Sequence, residues 1–108
     1  MIMRTWRACT AAADADEYYA YMSQAGLRRV QTAAGNRGVF VVRRMVQGRA
    51  EFLVLSLWDT MEDVHAFAGP DATRAVFNPD DEVHLLEYDL TVRLWDVLSA
   101  PDLPEARR

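Results

Sequence analysis

Ala50-Glu-Phe-Leu-Val-Leu-Ser-Leu-Trp58, followed by Asp59-Thr-Met-Glu-Asp-Val-His-Ala-Phe-Ala-Gly69, is the stretch on which the fold turns. Successive side chains of a strand alternate between faces. Phe52, Val54, Ser56 and Trp58 therefore point to one side, and Leu53, Leu55 and Leu57 to the other. Such a strand is apolar on both sides and belongs inside a sheet. The acidic turn after it reads as a capping pattern, with Asp59 as cap and Glu62 three residues on. The short helix it opens ends at Gly69-Pro70, with Met61, Val64 and Ala68 as its buried stripe and Phe67 beside them.

Upstream, Val39–Val46 reads as a strand that joins this one through a short hairpin loop, Gln47-Gly48-Arg49. Gly35-Asn-Arg-Gly38 is a turn cluster. Residues 2–9 make a first strand. Asp14-Ala-Asp-Glu17 is a second capping pattern, opening a helix that runs to Ala25 and stops at Gly26. Tyr18, Tyr21, Met22 and Ala25 form its stripe. Downstream, Asp71 to Phe77 reads as a further helical turn or two, and Asn78-Pro79-Asp-Asp81 breaks the chain. Residues 87–97 alternate, with Tyr88, Leu90, Val92 and Leu94 on one face and Asp89, Thr91, Arg93 and Trp95 on the other. The order is β-α-β-β-α-β, which predicts an α+β, ferredoxin-like fold: an antiparallel sheet with both helices on one face. Residues 1–98 are expected to be one domain, and 99–108, with two prolines, a tail.

Two helices cover one side of a sheet. Leaving Leu53, Leu55 and Leu57 in water would forgo roughly 1.5–3 kcal/mol each, comparable in sum to the ~5–15 kcal/mol stability of a whole domain. The expectation is a homodimer in which two sheets pack face to face, a dimeric α+β barrel.

The balance of the composition narrows the partners. The 108 residues carry a net charge of −4, against a basic nucleic-acid footprint. All 12 cationic residues are Arg, so lysine Schiff-base chemistry is excluded. The single cysteine, Cys9, makes no intrachain disulfide and fits a reducing cytoplasm as a small buried hydrophobe. The longest apolar run, Phe52 to Trp58, is far short of the roughly 20 residues a membrane span needs. Glu62 and His65 have metal-ligand spacing, but with two His, one Cys and no second such pair no metal site is expected.

Glu51 to Gly69, a hydrophobic strand ending in Trp58-Asp59, an acidic helix start and then Phe67-Ala-Gly69, resembles the antibiotic biosynthesis monooxygenase-like family. The resemblance extends loosely over residues 2–98. It implies a dimeric α+β barrel with a pocket between the sheet and the helices of each protomer, Trp58 lining it. Alternation then adds Val54 and Ser56 to that wall. Family members include cofactor-free quinol oxygenases, haem-degrading enzymes, isomerases and cyclases. The haem-degrading branch uses a Trp and a His where this chain has Phe67 and Phe77, and a first-strand Asn that it lacks. The quinol-oxygenase branch uses an Asn and a Tyr where this chain has Val54 and Val64.

The expected activity is that of a cofactor-independent oxygenase-like enzyme on an aromatic or polyketide-type molecule. A cyclase or isomerase of the same fold, or a non-catalytic dimeric binding protein, is the alternative. His65 and His84 are the candidate acid–base groups, since an imidazole with an ordinary pKa near 6.5 suits that work; a solvent-edge histidine and a loop histidine are the plainer readings. Trp58, Ser56, Val54, Phe67 and Phe77 are the candidate pocket wall. Arg43 and Arg44 are adjacent on a strand and face opposite ways, and Arg44 is the candidate anchor for an anionic ligand.

Overall fold

In the computed structural model, which describes residues 1–76 and 83–106, the two-faced apolar stretch is strand β3 (Arg49–Trp58), inside an antiparallel sheet. Strand β1 (Ile2–Ala11) pairs with it along its whole length, from Ile2 opposite Trp58 to Ala11 opposite Arg49. Strand β2 (Asn36–Val46) flanks its other edge. The outer edge of β1 takes two short pieces, β4 (Glu87–Tyr88) and β5 (Arg93–Asp96). Three helices, α1 (Ala15–Gln24), α2 (Gly26–Gln31) and α3 (Met61–Ala68), complete the α+β ferredoxin-like arrangement. None of the described helices is long and apolar enough to cross a membrane.

Local chemistry explains the turns. The β2–β3 hairpin closes through Gln47 and Gly48 alone, both at positive φ (49° and 77°), the turn whose twist matches paired strands. The α3 cap sits one residue later than the sequence pattern suggests. Thr60 accepts a hydrogen bond from the Asp63 amide at 3.1 Å and donates one to the Asp63 carboxylate, while Asp59 takes an ion pair from Arg37. Asp14 makes no side-chain cap bond; a short 3-10 turn, Ala12–Asp14, leads into α1 instead.

The helices lie on the Phe52–Trp58 face of the sheet. Tyr18 of α1 meets Phe52 edge-on at 5.2 Å, and Phe67 of α3 leans on Trp58 at 5.1 Å. The core has two parts on this face: Tyr18, Met22 and Leu27 over Ala50 and Phe52, and Val64 with Ala72 over Trp58.

Three expectations are corrected. Gly26 does not stop the first helix. The chain breaks at Ala25 (φ −117°, ψ −85°) and resumes as α2. Asp71 to Val76 is not helical. Arg74 bridges to Thr91, the Ala75 amide donates to the Leu90 carbonyl, and the Val92 amide to that of Thr73. The last strand is consequently split. Tyr88 and Leu94 do face the helices, opposite Ala8 and Arg4, and the Asp89 amide still donates to the Arg7 carbonyl of β1, but residues 90–92 leave the sheet to pair with this strip, and Leu90 turns outward.

None of the described helices lies on the other sheet face. At its hairpin end Glu51 joins Arg7 and Arg44, and Glu87 joins Arg7 and Arg49. The two arginines hold the Glu51 carboxyl below its ordinary pKa. On the same face Phe40, Val42 and Trp95 are about half exposed (53, 48 and 52 %). Residues 97–106 form no regular structure, yet Arg37 ties them down, donating to the carbonyls of Pro104 (2.8 Å) and Leu103 (3.4 Å).

Two glycines test this packing. Gly35 sits at φ +82°, and a Cβ there would lie 2.1 Å from the Asp63 side chain; Gly35→Ala is expected to cost about 1–3 kcal/mol, lowering the melting temperature by several degrees. Gly26, where a Cβ meets nothing, is a helix position; Gly26→Ala is expected to leave the melting temperature unchanged or slightly raised. Thermal unfolding followed by circular dichroism distinguishes the two.

Candidate functional site

A cleft opens between the helices and the sheet, with about 880 Å³ of empty space counted to its open mouth. Alternation sends Arg4 and Trp6 of β1 and Val54 and Ser56 of β3 to the helix side, where they form its floor. Tyr18, Met22, Leu27 and Val30 close it from α1 and α2, and Phe67, Val76 and Val92 from the remaining side. Among the described residues its lining contains no Asp or Glu, and the charged side chains there are Arg4 and Arg29.

Arg4 is the unusual group. It is 7 % exposed, and among the described residues no carboxylate pairs with it. Its Nη2 donates to the Arg74 carbonyl at 2.6 Å and its Nε to that of Ala72 at 3.4 Å. Burial pushes its pKa down to about 10, so it remains cationic at neutral pH. Its guanidinium carbon lies 5.8 Å from the centre of the Phe67 ring, and that of Arg29 lies 5.3 Å from the same ring. Both distances are within cation–π range.

Behind this wall, Trp58 is fully buried and its indole N–H donates to Ser56 Oγ at 2.9 Å. The Ser56 hydroxyl donates in turn to the Arg4 carbonyl oxygen at 3.4 Å. The Trp6 indole N–H donates to the Asp89 carbonyl at 2.6 Å, linking the cleft floor to the segment between β4 and β5.

The cleft brings together three of the expected residues, Val54, Ser56 and Phe67. Trp58 stands behind the lining, against Phe67 and Ser56, and shapes the cleft through them. Arg44 is on the opposite sheet face, paired with Glu51 opposite it in the ladder, so it does not reach the cleft of its own protomer. Arg43 has the helix-side orientation and binds Asp16 at 2.8 Å. His65 is exposed, with Nδ1 3.2 Å from the Gly69 carbonyl at the end of α3. His84 packs on Tyr21 and Tyr18 (5.6 and 6.0 Å between ring centres) without lining the cleft. Phe77 lies outside the described residues. No group of three or more His, Cys, Asp and Glu able to hold a metal occurs among the described residues.

Arg4, Trp6 and Arg29 were not among the expected site residues. For Arg4 a signal existed, since alternation along β1 places it on the face shared by Ile2, Trp6 and Ala8. Arg29 was hidden because its helix lies beyond Gly26.

No protein-family model matches the sequence, and no curated protein matches it either. Solved structures do match in three dimensions. A Bacillus cereus protein assigned as an antibiotic biosynthesis monooxygenase superposes with a TM-score of 0.64 at 15 % identity, over 96 % of this chain and 97 % of that one. The haem-degrader MhuD of Mycobacterium tuberculosis, solved with two haems in its active site, gives 0.62 at 17 % identity, over 94 % of this chain and all of its own. A NIPSNAP domain protein from Burkholderia xenovorans, itself uncharacterized, gives 0.57 at 16 % over the same shares. At these identities the likeness is one of fold.

Ser56→Ala would leave the Trp58 N–H buried without its acceptor, an expected cost of about 1–3 kcal/mol. Adding Trp58→Phe removes the stranded donor. The double variant is expected to lose less stability than the two single losses summed, as measured in a denaturant double-mutant cycle.

Proposed function

From a fold shared with an assigned monooxygenase and a haem degrader, we propose that this chain is a cofactor-independent, oxygenase-like enzyme acting on an aromatic or polyketide-type small molecule in its cleft. One observation carries the reading: a largely apolar cleft floored and walled by Trp6, Tyr18 and Phe67, with two guanidinium groups and, among the described residues, no carboxylate in its lining. Flat apolar molecules stack in such a site, and a permanent cation favours the substrate in its anionic form. An electron-rich anion gives one electron to dioxygen. The radical and superoxide join at carbon, the resulting peroxide anion takes a proton from water to replace the one the substrate gave up, and the hydroperoxide loses water to leave a carbonyl. The protein's part is to position the anion and hold its charge. Haem held by a histidine does not fit, because no imidazole lines the cleft and both histidines lie outside it.

The same lining favours a second reading. Its described residues offer no imidazole or carboxylate for proton transfer, which suits a non-catalytic binding protein as well as an enzyme whose substrate ionises readily. Oxygen uptake by the metal-free protein with hydroquinones and anthrones separates the two. Uptake above the uncatalysed rate, reduced at least tenfold in Phe67→Ala and within about twofold of the parent in His65→Ala, is the expected result (tenfold corresponds to about 1.4 kcal/mol of barrier). Saturable quenching of tryptophan fluorescence without uptake would favour the binding protein.

The homodimer is part of this proposal. Phe40, Val42 and Trp95 are half-exposed apolar side chains on the sheet face away from the described helices, and a second copy of that face is the complement we propose for them. Sedimentation at micromolar concentration is expected to show twice the 12.3 kDa chain mass, with Phe40→Asp shifted toward the monomer. A parent protein sedimenting at the chain mass would overturn the dimer.

A further inference from the structure

We infer that the cleft selects a carboxylate-bearing ligand, a planar apolar acid whose carboxylate is held by Arg4 and Arg29 while its body lies against Phe67. The inference rests on the small-molecule reading above and narrows it to a substrate class. Two cations stand within 6 Å of one ring centre, in a lining whose described residues include no acidic side chain. Arg4 is the decisive one. Its hydrogen bonds run from Nε and Nη2 to main-chain carbonyls, and among the described residues none runs from Nη1. A buried charge that has carbonyl dipoles and an aromatic ring for company, and no described counter-charge, is costly. A carboxylate offers what the protein withholds, an opposite charge with geometry matched to a guanidinium fork.

The surroundings argue for selection rather than mere tolerance of an anion. The other arginines with described carboxylate partners, Arg7, Arg37, Arg43, Arg44 and Arg49, lie outside the cleft lining. The net charge of −4 makes carboxylates abundant in this chain, yet none reaches the two cleft cations among the described residues. The apolar remainder of the wall would pay poorly for a small hydrated anion such as phosphate, whereas an aromatic acid satisfies both parts at once.

A purely structural role for Arg4 is the competing account, in which it only fastens residues 72–74 to β1. Isothermal titration with 2-naphthoate and with neutral, nearly isosteric 2-naphthamide separates the two. The acid is expected to bind at least tenfold more tightly than the amide (about 1.4 kcal/mol), with a gap that narrows as salt is raised. Arg29 is exposed, so Arg29→Gln is expected to keep the fold; it is expected to weaken the acid at least threefold and leave the amide unchanged. Arg4→Gln is expected to abolish the preference, and if that variant does not fold, the Arg29→Gln comparison decides alone. Equal binding of acid and amide would overturn the carboxylate while leaving an apolar cleft. A preference unmoved by either substitution would overturn the assignment to these arginines. Saturable binding of neither compound would overturn both this inference and the small-molecule reading on which it rests.

Discussion

Arg4 reaches from the sheet to a stretch of chain with no regular structure of its own, and the cleft depends on that reach. Its guanidinium holds the carbonyls of Ala72 and Arg74. The strip so held pairs through Arg74 with Thr91 and through Thr73 with Val92. Val76 and Val92, at the two ends of that pairing, are cleft walls. Burying a guanidinium costs several kcal/mol even after relaxation. Hydrogen bonds from a charged donor return about 1.5–3 kcal/mol each, and the bond to Ala72, at 3.4 Å, is a long one. The ring of Phe67 adds roughly 0.5–2 kcal/mol. These gains are of the same order as the cost, so Arg4 secures the architecture without adding a large surplus of stability.

The two faces of β3 divide the remaining work. Its helix side carries Phe52, Val54, Ser56 and Trp58 and builds the core and the cleft floor. Its other side carries Glu51, Leu53, Leu55 and Leu57. Arg7, Arg44 and Glu51 sit near the hairpin with Arg49 and Glu87; Val42 shares a row with Arg7 across Leu53, and Phe40 shares one with Arg93 across Leu55 and Thr5. Charged and apolar side chains are thus interleaved on this face, and where two surfaces meet, charges fix orientation and register while apolar area supplies association energy.

The elements legible in the sequence were those that short periods determine. Alternation located β1, β2 and β3, Gln47-Gly48 marked the hairpin, and the helical stripe of Tyr18 and Met22 identified the buried side of α1. What stayed hidden depends on contacts between distant residues. Residues 87–97 alternate as a strand does, but nothing local reveals that 90–92 exchange β1 for residues 73–75. Gly26 looked like a helix end, and the helix resumes there because the break is taken by Ala25. At the site, alternation placed Val54 and Ser56 correctly on the cleft side. It could not choose between Arg43 and Arg44 without knowing which face the helices cover, and Arg44 proved to be on the other one. His65 marked a helix edge, where its ring closes the helix end rather than a cleft.

The choice of arginine at position 4 bears on the chemistry. Desolvation disfavours the charged form of any buried base. A lysine starts from an ordinary pKa near 10.4, and a comparable depression would bring it close to neutrality at physiological pH, where it would serve as a base. Arginine starts high enough that the same burial leaves it near 10 and still cationic. Arg4 therefore brings to this cleft a charge that persists at neutral pH. A group of this kind can hold negative charge but does not abstract protons. It suits a ligand that arrives ionised, or a reaction in which an anion must persist long enough to react, and it is poorly matched to chemistry that begins with a protein base.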